Sequence, residues 1–148
     1  MTHTWPAKFA TLTALLLGPL MLLMGGGHLY GIISTALAND APLTYRLVSL
    51  ITTGLLVALP GLISLACLRW LWLGRLWAYV MCILSASTVM VYLGLLLSIK
   101  VRDSTKVGSE LDMAAMSVAV YLVVMIIVWG YLVLQRRRSA AAAAADMH

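Results

Sequence analysis

The stretch Met113–Leu134, MAAMSVAVYLVVMIIVWGYLVL, runs for 22 residues without a charged side chain and is followed almost at once by Arg136-Arg137-Arg138. About 20 apolar residues in a helix cross the roughly 30 Å hydrocarbon layer of a bilayer. This stretch is therefore long enough to span a membrane, and the arginines mark where the span must stop because a desolvated cation is costly. Three further runs of the same kind precede it, Phe9–Ala38, Val48–Leu68 and Leu76–Ile99.

The chain of 148 residues is 63% hydrophobic and 10% charged, with a mean hydropathy of +1.00. A soluble domain of that size could not hide so much apolar surface in one core. The expected fold is all-α, an integral membrane antiparallel four-helix bundle over residues 1–138 with spans at about 9–38, 48–68, 76–99 and 113–134. Residues 139–148, rich in alanine, form a cytoplasmic tail that continues as a frayed helix or stays disordered. Lys8, the apolar run after it and Ala36-Leu37-Ala38 imitate a secretory signal with a small-residue cleavage site, but the run is too long for a signal core and reads as a retained first helix.

The formal net charge of +5 does not point to nucleic acid, because the cations are split between the two ends of the bundle. If the spans alternate, Lys8, Arg69, Arg75 and Arg136–Arg138 share one side, while Arg46, Lys100, Arg102 and Lys106 share the other with Asp40, Asp103, Glu110 and Asp112. Six Lys and Arg against four place both termini in the cytoplasm and the chain in a cytoplasmic (inner) membrane. Trp5, Trp70, Trp72, Trp77 and Trp129 gather at or near the proposed inner face, and Tyr30 and Tyr45 approach the outer one, as interfacial aromatics do.

Local signals set the connections. Asn39-Asp40-Ala41-Pro42 ends the first helix, and Arg69-Trp70-Leu71-Trp72-Leu73-Gly74-Arg75 is so short that helices 2 and 3 must form a tight antiparallel hairpin. Gly18-Pro19 and Gly25-Gly26-Gly27 predict kinking in helix 1, and Pro60-Gly61 predicts it in helix 2. Ser109-Glu110-Leu111-Asp112 has capping-box character at the start of helix 4, which accounts for its acids without a site. The segment Lys100–Asp112 reads as a solvated outer loop.

Two packing stripes stand out. Gly27 and Gly31 form a GxxxG element, and Ala78, Cys82 and Ala86 follow Gly74 at four-residue intervals in helix 3. Small residues one turn apart let helix backbones approach closely in lipid, so helices 1 and 3 are expected to supply the closest seams. Ser64, Ser85, Ser87 and Thr88 are expected to hydrogen-bond between helices. Cys67 and Cys82 flank the inner turn, in a reducing compartment under this orientation, which disfavours a disulfide.

His28 is the one ionisable group well inside an apolar run, and such residues are functional candidates. With Tyr92 and Tyr121 expected at comparable depth, it defines a candidate polar pocket for a small ligand or a proton relay; the alternative is a neutral imidazole bonded to a tyrosine or a carbonyl. Haem held by two histidines is disfavoured, because His3 and His148 lie in terminal segments away from it, while a quinone or single-ligand haem site shared with a partner stays open. No Asp, Glu, Lys or Arg sits centrally in a span, which disfavours an ion-coupled exporter. No nucleophile–base pair, phosphate loop or metal-ligand spacing occurs. These features predict a non-enzymatic, cofactor-free protein that acts through intramembrane contacts, as an accessory subunit or an immunity-type protein. Its partners would be the lipid bilayer and a membrane protein or a second copy of itself, and not nucleic acid. The alternative is a channel or transporter formed by oligomerisation, with His28, Thr52, Ser85 and Thr88 lining the path.

Overall fold

A computed structural model of the chain describes residues 5–39, 42, 44–102 and 109–145, with side chains described at 5–39, 42, 44, 47–96 and 113–142. Four helices account for almost all of it: α1 (Trp5–Ala38), α2 (Tyr45–Trp72), α3 (Leu76–Arg102) and α4 (Ser109–Ala145). The protein is an all-α four-helix bundle, and each helix carries a segment long and apolar enough to cross a membrane. That is the architecture of a multi-pass membrane protein. Asp40, Ala41, Asp103 and Lys106 lie outside the described residues, as do the side chains of Arg46, Lys100, Arg102 and the capping-box acids.

Every helix extends past its apolar run. α1 starts at Trp5 rather than Phe9, and α4 passes through Arg136–Arg138 and on to Ala145. Lipid thickness limits the apolar run, whereas helical hydrogen bonding stops only at a breaker, and Arg and Ala are strong helix formers. Pro19 and Pro60 both lie inside continuous helices.

The helices form a ring in chain order: α1 packs on α2, α2 on α3, α3 on α4, and α4 back on α1. Among the described residues α1 and α3 are not packed against each other, so the small-residue stripes expected to supply the closest seams do not meet within this chain. The closest approach is between α1 and α2. A Cβ built on Gly25 would sit 2.6 Å from Ala58 N and from Gly54 O, and one on Gly61 would sit 2.5 Å from Gly18 O. Gly18 and Gly25 are seven residues apart on α1, as Gly54 and Gly61 are on α2. In antiparallel register Gly18 therefore meets Gly61 while Gly25 meets Gly54, two turns further along. With no Cβ at any of the four positions, the two backbones come into direct contact. The rest of the buried stripe on α1 is also mostly small, with Ala7, Ala10 and Ala14 below Gly18.

Gly27 and Gly31, expected to pack a helix, meet none within this chain: a Cβ on either would meet nothing within 4 Å. They lie beyond the level at which α2 hugs α1, and no residue of α1 from Gly26 onward is fully buried. On α3, Ala78, Cys82 and Ala86 are completely buried together with Tyr79, Val89 and Leu93. Since α3 touches only α2 and α4, that stripe serves those two seams.

The α2–α3 turn closes by backbone geometry. Gly74 takes φ +64°, Arg75 N–H donates to Trp70 O at 2.9 Å, and Gly74 N–H donates to Leu71 O at 3.0 Å. This pair of bonds is a Schellman motif, which satisfies the last carbonyls of α2. The Tyr79 hydroxyl donates to Leu71 O at 3.0 Å, and Arg136 reaches across from α4 to Gly74 O at 3.0 Å. The same end carries a Trp70–Trp77 ring pair with centroids 5.2 Å apart and Lys8 Nζ 6.0 Å from the Trp72 ring. Cations over aromatic faces are attracted by the ring quadrupole.

Candidate functional site

At the end that carries the α1–α2 and α3–α4 connections, the bundle opens. The tight α1–α2 contact ends at Gly25 and Gly54, and the space beyond is a partly enclosed cavity of about 710 Å³. α1 lines it with Met24, Gly25, Gly27, His28, Gly31 and Ile32, and α2 with Ser49, Leu50, Thr53, Gly54 and Val57. Leu96 of α3 and Met113 and Ala114 of α4 complete the wall. The two glycines that contact no helix are thus part of this wall, where their missing side chains leave room.

His28 belongs to the core-facing stripe of α1, one heptad beyond Met21, which is fully buried. Its side chain is half-buried, and its Nε2 is sealed off without a hydrogen-bond partner. A buried polar atom without a partner is costly, and native structures rarely leave one.

Tyr92 stands behind the wall. Its hydroxyl lies 3.3 Å from Thr53 Oγ1 and donates to Ser49 O at 3.4 Å. Thr53 Oγ1 itself donates to Ser49 O at 2.8 Å. Tyr92 therefore fixes the polar edge that Ser49 and Thr53 give the cavity. Tyr121 does not join this group. Ala114 lines the cavity, and a helix rises about 1.5 Å per residue, so Tyr121 sits two turns deeper on α4. It is fully buried beside Cys82 and Ser64, and its hydroxyl has no hydrogen-bond partner. Cys67 and Cys82 are both free and buried in that deeper layer.

Three of the four serines and threonines expected to bond between helices bond back to their own. Ser64 donates to Gly61 O at 2.8 Å, Ser85 to Cys82 O at 3.0 Å and Thr88 to Leu84 O at 2.9 Å. In an apolar medium the carbonyl one turn earlier is always within reach. Thr52 does the same with Val48 O at 2.8 Å, and Thr52, Ser85 and Thr88 are not on the cavity wall. Among the described residues no three His, Cys, Asp or Glu come together in a metal-binding group.

Ser49 and the seam role of the four glycines escaped the sequence reading. The seven-residue spacing shared by Gly18 and Gly25 with Gly54 and Gly61 was the available signal. What emerges is a class: a multi-pass four-helix bundle with a cavity whose described wall is apolar except for one histidine and a serine–threonine edge. No protein-family model, no curated protein and no solved structure matches the chain.

Proposed function

We propose that this chain is a non-enzymatic integral membrane protein that works by contacts made inside the bilayer, as an accessory subunit or an immunity-type protein held against a membrane partner. The observation that carries the reading is the outer third of α1. From Gly26 to Ala38 this helix has no fully buried residue, and Gly27 and Gly31 face open space. The nearby hydroxyls are satisfied within the helix, Ser34 donating to Gly31 O at 3.1 Å and Thr35 to the same oxygen at 2.7 Å. A glycine-thinned helix end that its own bundle does not cover lets a second helix approach closely.

The orientation in this reading has both termini in the cytoplasm and the chain in the cytoplasmic (inner) membrane. Lys8, Arg69, Arg75 and Arg136–Arg138 at the terminal end support it, together with the Trp70, Trp72 and Trp77 cluster beside them. The oligomeric channel receives less support, because only His28 of its four path residues lines the cavity.

A photo-crosslinking residue placed at Ser34 tests the contact reading. Crosslinks in the native membrane should capture one polypeptide from position 34 and not from Val91, an exposed position on α3. Equal labelling from both positions, or none from either, would contradict it.

A further inference from the structure

We infer that the cavity between the outer halves of the helices is a binding site for one uncharged amphiphile, whose carbonyl or hydroxyl oxygen hydrogen-bonds the His28 imidazole while its apolar body fills the remaining volume. Three independent features lead there. The volume of about 710 Å³ falls in the range of roughly 300–1,000 Å³ found for sites that take small organic ligands. The His28 imidazole lines it and makes no hydrogen bond to the described residues, its Nε2 being covered by protein atoms. Of the hydroxyls nearby, that of Thr53 is already engaged, donating to Ser49 O and meeting Tyr92. The imidazole and the Ser49 hydroxyl are therefore the polar groups of the described wall that the chain leaves unmatched.

The chemistry of the wall sets the class of ligand. Among the residues whose side chains are described, no Asp, Glu, Lys or Arg lines the cavity, so a charged head would lose its water without gaining a counter-charge from that wall. A neutral oxygen matches the nitrogen in either tautomer, accepting from an N–H or donating to a lone pair. Met24 and Val57 lie about one turn deeper than the His28–Thr53 level and offer an apolar floor, while Leu50, Leu96 and Met113 supply apolar walls. Gly27 and Gly31 set the low side of the wall, where a larger residue would take the ligand's place. Two sources share this chemistry, isoprenoid quinones and acylglycerols, and the site as built recognises what they have in common.

Gly31→Leu and His28→Phe separate the binding claim from folding. A Cβ at position 31 meets nothing within 4 Å, so Gly31→Leu fills the cavity without pressing on a packed neighbour, and His28→Phe keeps the ring while removing the nitrogen. The full chain would be extracted from its own membrane into lipid nanodiscs and its bound organic molecules quantified by mass spectrometry against bulk phospholipid. Near-equimolar recovery of one uncharged amphiphile from the wild type is expected, falling at least tenfold in both variants while their melting temperatures stay at or above that of the wild type. The identity of that molecule decides between isoprenoid and acylglycerol. As a direct check, a tail-bearing benzoquinone and 1-oleoylglycerol would be added separately to delipidated wild type. One of them should raise its melting temperature, with no shift in Gly31→Leu. Recovery of bulk phospholipid alone, or equal ligand content in wild type and both folded variants, would overturn the inference.

Discussion

Four glycines decide how closely α1 and α2 approach, and they are not the ones that the four-residue spacing singles out. At Gly25 an added methyl would press on Ala58 N and Gly54 O, both backbone atoms that cannot swing away. Gly25→Ala should therefore destabilise the bundle by about 1–3 kcal/mol, the usual cost of overpacking a tight contact. Gly27→Ala meets only open space, and should change stability by less than about 1 kcal/mol because it also improves helix propensity. Unfolding titrations in mixed micelles would measure both, and equal losses would refute the seam. Tyr79→Phe should cost about 1 kcal/mol in the same assay, because it removes a buried hydrogen bond and leaves the Leu71 carbonyl with Gly74 N–H as its remaining donor.

The individual helices were readable because their cause is local. A run such as Met113–Leu134 requires a span whatever surrounds it, and Gly74 signals a turn because only a residue without a Cβ takes φ +64° at low cost. Gly74→Ala should accordingly cost about 1 kcal/mol. Arg136→Gln, which removes a bond from an exposed side chain to the same turn, should cost less than Gly74→Ala does; the reverse order would show that α4, rather than the backbone motif, holds the hairpin. Partner choice was less legible. The stripe at Ala78, Cys82 and Ala86 is buried, yet nothing in its spacing says whether it faces α1 or α4. Pairing came instead from coincidence in register between Gly18–Gly25 and Gly54–Gly61, a relation between two distant segments. The candidate site shows the same limit. His28 stood out by chemistry alone, and Tyr92 reaches its neighbourhood through Thr53. Tyr121 was assigned a similar depth, but it lies two turns further into the bundle, among groups its position in the sequence did not suggest.

At the scale of the whole molecule, the bundle is dense at one end and open at the other. The terminal end is closed by the Schellman turn, by Arg136 across it and by the tryptophans with Lys8. The opposite end leaves α1 half-covered, with Gly27 and Gly31 bare and a cavity behind them. Exposed leucines and valines elsewhere are what lipid-facing helices require, so this asymmetry, rather than apolar surface as such, distinguishes a working end from a scaffold. The proposal that the molecule acts through a partner at that end is tested most directly by native mass spectrometry of the protein extracted from its own membrane in lipid nanodiscs. One stoichiometric foreign polypeptide, lost when Gly27 and Gly31 are both replaced by leucine, is the predicted result. A monomer or a pure homo-oligomer, unchanged by those substitutions, would contradict it.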